Sequence, residues 1–217
     1  MFKIDSAGKY SVLYRFTGGS DGGNPQSHLI LDSAGNIYGS TTGVGAGSQG
    51  TVFKLNSTGH ETVLLVFKGT NGSQPYGALA RDGEGNLYGT TYGGGNLNDC
   101  NPGFGCGIVF ELKPDGQEPI LNVFTGGPGG WSPVAGLVRD TKGNLYGTAA
   151  SGGSGIDCCG VVFEVPPAGF ANVLHTFTGS SDGSSPDTDL TQDSNGNLYG
   201  AAQGGTYGSG VIFKLTP

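Results

Sequence analysis

Two carboxylates and an imidazole raise the first chemical question. Asp187 and Asp189 stand two residues apart in the run SSPDTDL, and His28 ends the corresponding stretch NPQSH far upstream. A carboxylate beside an imidazole can serve as a general base, and paired carboxylates can divide acid and base roles in glycoside cleavage. Ring and amide side chains recur in similar loops: Asn24, Gln74, Tyr76, Tyr92, Trp131, Gln203 and Tyr207. Rings stack on the apolar faces of a sugar, while amides and carboxylates bond its hydroxyls. Together these residues suit a glycan-binding site first and a polysaccharide-active hydrolase or lyase third, behind assembly. A serine nucleophile elbow is not expected: GGSDG and GSSDG carry the letters of G-x-S-x-G, but that motif needs a strand-to-helix turn and the repeats show no helical period. Calcium is a weak candidate cofactor at SSDGSSPDTD, which lacks both the spacing and the terminal Glu of an EF-hand loop. No other cofactor and no catalytic residue is assigned.

The elements that must position these residues are repeats. Asn36, Asn86, Asn144 and Asn197 begin the copies NIYGST, NLYGTT, NLYGTA and NLYGAA. Phe53, Phe110, Phe163 and Phe213 mark a second motif (VFKL, VFEL, VFEV, IFKL), and Phe16, Phe67, Phe124 and Phe177 a third. All three anchors agree on a unit of about 50 residues, which gives one domain over 1–217 with units near 1–51, 52–108, 109–161 and 162–217. Each unit reads as four short strands, a to d, with an Asp-x-x-Gly-Asn turn between a and b. Tyr38, Tyr88, Tyr146 and Tyr199 are expected to pack between sheets, and the Gly after each to allow close approach. Arg81 and Arg139 are expected to pair with the turn aspartates. The pattern implies an all-β chain folded as a propeller of four four-stranded blades.

The chain begins with strands c and d (MFKID, SVLYRF) and closes with a, b and c. The last blade is therefore expected to be completed by the N-terminal strands, which leaves strand c supplied twice. Phe2 and Ile4 form one copy, and Ile212, Phe213 and Leu215 the other. A surplus strand can pair with another chain, so an oligomer or filament built through these residues is the runner-up function. In this strand order the short a–b and c–d turns share one end. The longer d–a and b–c loops share the other, which is the expected ligand face.

With 12% charged residues and a net charge of −7, the chain is a poor partner for nucleic acid. No apolar run is long enough to span a bilayer, so membrane insertion is not expected. The opening MFKIDSAGKY lacks the basic and apolar regions of a secretion signal. Cys100 and Cys106 flank a short loop and favour a disulfide; Cys158 and Cys159 are adjacent and allow either a vicinal bond or pairing between the two loops. Zinc is disfavoured: no CxxC pair occurs, and His28, His60 and His175 are dispersed.

Units such as VFKLNSTGHETVLLVFKGTNGSQPYGALARDGEGNLYGTTYGGG resemble the Gloeo/Verruco (GloVer) repeat across essentially the whole chain. The Asp-x-x-Gly-Asn-Leu-Tyr pattern is more distantly similar to NHL-type propeller repeats. The first resemblance implies a bacterial protein of the secreted or surface-anchored kind, with no general activity and no catalytic residues to carry over. With the cysteines, it points to an extracellular or cell-surface module whose partner is a glycan or extracellular polymer.

Overall fold

The computed structural model describes residues 1–43, 49–100, 103–153 and 159–217. Apart from one 3-10 turn at Gly127–Gly129, its regular structure is antiparallel β. The strands β1 (Phe2–Ile4) and β2 (Tyr10–Val12) pair only with each other. Four sheets follow in chain order. The first holds β3 (Ile30–Leu31), β4 (Ile37–Thr41), β5 (Thr51–Leu55) and β6 (Glu61–Val66). The second holds β7 (Ala80–Arg81), β8 (Leu87–Thr91), β9 (Ile108–Leu112) and β10 (Ile120–Val123). The third holds β11 (Val138–Arg139), β12 (Leu145–Ala149), β13 (Val161–Val165) and β14 (Asn172–Thr176). The fourth has three strands: β15 (Thr191–Gln192), β16 (Leu198–Ala202) and β17 (Val211–Leu215).

The repeated aspartate builds the first hairpin of each sheet. In the second sheet, Asp82 Oδ1 accepts the Glu84 and Asn86 amides, while Oδ2 accepts Asn86 Nδ2 at 2.9 Å and the Tyr88 hydroxyl at 3.0 Å. Asp32, Asp140 and Asp193 repeat the arrangement. One carboxylate thus fixes the turn and aims the tyrosine that leaves it. The glycine after that tyrosine faces a phenylalanine ring across the ladder. A Cβ at Gly89 would stand 2.6 Å from Phe110 Cζ, and one at Gly147 would stand 2.7 Å from Phe163 Cζ. The close approach is to a ring, which explains why the two motifs travel together.

Sheets are joined face to face by phenylalanines. Phe67 meets Phe110 at 5.3 Å, Phe124 meets Phe163 at 5.1 Å and Phe177 meets Phe213 at 5.3 Å, all edge-on. Each pair sits in or against an apolar cluster shared by consecutive sheets, first with second, second with third and third with fourth. Three of the four tyrosines, Tyr38, Tyr88 and Tyr146, pack between sheets, each in one of these clusters, while Tyr199 of the last sheet belongs to none of them.

A backbone clip repeats at the same junctions. Gln74, Ser132 and Ser185 precede prolines and take positive φ of 54°, 57° and 46°. Their amides donate to Gln49, Cys106 and Cys159 of the preceding sheet at 2.7, 2.9 and 2.6 Å. The following Pro75, Pro133 and Pro186 press on Gly50, Gly107 and Gly160, where a Cβ would approach the proline Cδ to 2.5, 2.7 and 2.4 Å.

Between the fourth sheet and the first the pattern stops. Asn24 has the same positive φ of 55° and precedes Pro25, yet a Cβ at the matching Gly210 would meet only Ala202 O, at 3.4 Å. Leu29 is 46% exposed, whereas its counterparts Leu79, Leu137 and Leu190 are 4–7% exposed. Ile212 is 88% exposed, whereas Val52, Val109 and Val162 at its position are fully buried. The N-terminal hairpin covers part of the first sheet, with Phe16 against Phe53 at 5.0 Å. This corrects the expected completion of the last sheet: β1 and β2 satisfy each other, and β17 pairs only with β16.

Candidate functional site

The residues that lead into β3, β7, β11 and β15, the first strand of each sheet, converge on a cleft of about 330 Å3 at the long-loop end. Its lining follows the repeat register. The residue after each proline contributes Gln26, Tyr76, Val134 and Asp187, and two positions further on come His28, Ala78 and Asp189. The second and third strand starts approach tightly, since a Cβ at Gly77 would lie 2.4 Å from Ala135 O. That closeness needs glycine there and brings the polar residues of the other two sheets to the same mouth.

Asp189 is held on both oxygens: Oδ1 accepts the Gly136 amide at 2.6 Å, and Oδ2 stands 2.9 Å from His28 Nδ1. This links the third, fourth and first sheets. Asp187 Oδ2 accepts Gln203 Nε2 at 3.0 Å. Each carboxylate keeps acceptor capacity toward the cleft, and neither has to reorganise to use it. The Tyr76 hydroxyl donates to Gln74 Oε1 at 3.3 Å, and its ring lies 5.8 Å from Tyr92, which lies 5.4 Å from Phe104. A short aromatic row therefore flanks the acidic mouth.

The structure gathers some of the expected residues and separates others. His28, Tyr76, Asp187 and Asp189 share the cleft, while Gln74, Gln203 and Tyr92 support it from behind. Asn24 lies outside it, with a backbone carbonyl that accepts the Thr42 amide. Trp131 is half-buried against the core between the second and third sheets, and its backbone bridges to Ser151. It packs the frame and does not face the cleft. Tyr207 projects into solvent, 93% exposed, away from the lining. Gln26, Val134, Thr188 and Phe104 were not foreseen, although aligning the four prolines points to the first two.

Arg81 and Arg139 do not pair with the turn aspartates. Their guanidinium groups lie 5.6 Å over Tyr38 and Tyr88 of the preceding sheet. The aspartates are already saturated by amide and phenol donors. Asp32 and Asp193 are consequently held down to about 2, chiefly by their Asn36 and Asn197 side chains. Burial pushes Tyr88 and Tyr146 up to about 12, helped by Asp82 and Glu111 in the first case and by Asp140 and Glu164 in the second.

Cys100 and Cys106 form a disulfide with Cα atoms 5.5 Å apart, so they are not partners for the other two cysteines. Cys159 is also disulfide-bonded, while Cys158 lies outside the described residues. Among the described residues no group of three or more His, Cys, Asp and Glu side chains is placed to hold a metal ion. In the acidic loop considered for calcium, Asp182 accepts bonds from Thr178 and stands 3.4 Å from His175. Of the surplus-strand residues, Phe2, Ile4 and Ile212 are exposed. Phe213 and Leu215 instead pack against the core between the third and fourth sheets. Among the described residues no helix is long and apolar enough to cross a membrane.

Comparison with solved structures finds the same fold in a protein provisionally assigned as a gluconolactonase, at 16% identity and a TM-score of 0.52, covering 100% of this chain and 70% of that one. A gluconolactonase from Xanthomonas campestris matches at 17% identity and a TM-score of 0.52, covering 87% of this chain and 61% of its own. This chain thus spans less than two thirds of that protein's length. At such identities the likeness extends to the fold alone. A comparison with curated proteins returns no match. The model of the Gloeobacter/Verrucomicrobia repeat matches residues 1–103 and 101–217, and the chain belongs to that repeat family.

Proposed function

We propose that the four sheets are the blades of a β-propeller and that the chain is an extracellular or cell-surface module binding a glycan at the cleft of the inner strands. The supporting observation is the mouth itself: Asp187 and Asp189, each fixed by a donor, stand with His28 beside the ring of Tyr76. Fixed acceptors next to an apolar ring match the alternation of hydroxyls and C–H faces on a pyranose. The cleft is open and about 330 Å3, a size for one or two sugar units of a longer polymer. Screening immobilised neutral and amino glycans tests this, with Asp189→Asn and Tyr76→Ala expected to lose binding while the melting temperature holds. Retained binding in both variants places the glycan elsewhere.

A hydrolytic reading is favoured by one contact. A carboxylate-held imidazole such as His28–Asp189 can take a proton from water as it adds to a lactone carbonyl, and ring opening then yields a hydroxy acid. The gluconolactonase fold likeness suggests sugar lactones as the first substrates to assay. Hydrolysis that disappears in His28→Ala supports this reading, and no turnover of any lactone leaves binding as the function.

A further inference from the structure

At the end opposite the cleft, a pocket of about 310 Å3 opens between the turns of the first and second sheets. Tyr38, Leu64, Leu87 and Leu112 give it apolar walls, and Lys54, Arg81 and Lys113 line it with positive charge. Those are three of the ten lysines and arginines in a chain of net charge −7. Lys54 Nζ and the Arg81 guanidinium lie 5.8 and 5.6 Å over the same Tyr38 ring. A Cβ at Gly85 would stand 3.2 Å from Arg81 Nη2, so the guanidinium lies close along the bare backbone of that turn glycine. Glu84, the one acid among the described lining residues, is not paired with any of these cations, and none of them has another carboxylate partner among the described residues.

Packing does not demand these charges, because the repeats vary them on one frame. Across the ladder from the tyrosine stands Lys54 in the first sheet, but Glu111 in the second and Glu164 in the third. There the Tyr88 and Tyr146 hydroxyls donate to those carboxylates at 3.3 and 3.4 Å. By the same register Arg81 gives way to Gln192 in the fourth sheet, and Lys113 and Glu84 to Pro166 and Lys142 in the third. Among the described residues, two cations share one ring at Tyr38 alone. Like charges gathered without an acid repel one another, and an anion seated between them relieves that repulsion.

We propose that this pocket is a second binding site, for a sugar-sized ring that carries a carboxylate, the unit that an acidic polysaccharide presents. The planar fork of Arg81 matches a carboxylate, and Lys54 and Lys113 add charge on either side. Tyr38 and the leucines receive the C–H face of the ring, and the volume suits a single ring. The acidic mouth at the other end repels the same group, so the two ends of the molecule sort neutral from anionic ligands.

Calorimetric titration of a galacturonate trimer and a neutral galactose trimer into the intact chain tests the assignment. The uronate trimer is expected to bind, more weakly as salt is raised, and the neutral one to bind at least tenfold less tightly at this end. Lys54→Glu and Arg81→Gln copy residues that the other sheets carry at those positions, so both variants should fold. Each should weaken uronate binding at least tenfold, while Glu84→Gln should strengthen it two- to threefold. No uronate binding to the wild type, equal affinity for the two trimers, or unchanged uronate affinity in both Lys54→Glu and Arg81→Gln overturns the proposal. None of these variants touches the cleft, so the result stands apart from the test of that site.

Discussion

His28 Nδ1 stands 2.9 Å from Asp189 Oδ2, although the two residues are 161 positions apart and open the first and fourth sheets. The contact gathers the cleft, and it is made at the one junction where the apolar packing is incomplete. At the other three junctions, phenylalanines from consecutive sheets hold the frame, so the site sits at the mouth of a partly open structure.

The filled junctions should carry most of the stability. Phe110 and Phe163 are fully buried. Replacing either with Ala should cost about 3–5 kcal/mol through lost contacts and the cavity left behind. Phe16→Ala, at the half-covered junction, should cost clearly less. Urea unfolding of the three variants checks the order, and equal losses would mean that the hairpin is as integral as the complete sheets.

The glycine at each clip allows a paired comparison. Gly107 and Gly210 have similar φ of 95° and 100°, so adding a Cβ strains both backbones alike. At Gly107 the new atom would lie 2.3 Å from Thr91 O and 2.7 Å from Pro133 Cδ, while at Gly210 its nearest contact is 3.4 Å. Gly107→Ala should therefore destabilise the single chain by about 2 kcal/mol more than Gly210→Ala. Measured in dilute solution, equal effects would show that Pro25 does reach Gly210.

Stability should fall at both ends of the pH scale. The turn carboxylates Asp32 and Asp193 sit near 2 in the folded chain against an ordinary 3.8, so the unfolded chain binds protons first on acidification. Their contribution is complete above the ordinary value and is lost as pH falls through about 2. The Tyr88 and Tyr146 phenols, raised from 10.0 to about 12, act oppositely: their contribution is complete below 10 and is lost as pH rises toward 12. Thermal melts from pH 2 to pH 8 should fall at the acid end, and Asp32→Asn and Asp193→Asn should each flatten that limb. Parallel acid limbs in wild type and both variants would contradict the role given to these turns.

Reduction of the Cys100–Cys106 bond should act locally. The bond closes a short loop, a separation of six residues, that carries Phe104 against Tyr92. Chain-entropy reasoning assigns such a small loop about 2 kcal/mol. A Cys100→Ser/Cys106→Ser variant, which leaves the Cys159 bond in place, should lower the melting temperature by several degrees and loosen the aromatic flank of the cleft, read as weaker ligand binding with the sheets intact.

Much of the frame was legible because it is written four times. The Asp-x-x-Gly-Asn turn, the following tyrosine and the third-strand phenylalanine each fix one local geometry and recur in all four sheets, while the phenylalanine after the fourth strand recurs in the first three. Less legible was whatever depends on relations between sheets. Arg81 was expected at a turn aspartate, yet Asn86 and Tyr88 already satisfy that carboxylate, which leaves the guanidinium to the tyrosine of the preceding sheet. Trp131 read as a ligand platform because it is the only tryptophan in a polar loop, but its ring is drawn to the core between sheets. Asp187 and Asp189 were found by type, and their meeting with His28 follows from the shared position after the prolines. The open seam had a trace in the duplicated third strand, whose two copies never enter the same sheet.

The central claim is that the mouth formed by His28, Tyr76, Asp187 and Asp189 is the ligand site. Calorimetric titration of the best glycan from a screen, into wild type and Asp189→Asn, tests it most directly. The account predicts at least a tenfold weaker affinity in the variant, corresponding to about 1.4 kcal/mol, with an unchanged fold. Equal affinities in the two proteins would contradict it and move the site away from the axis.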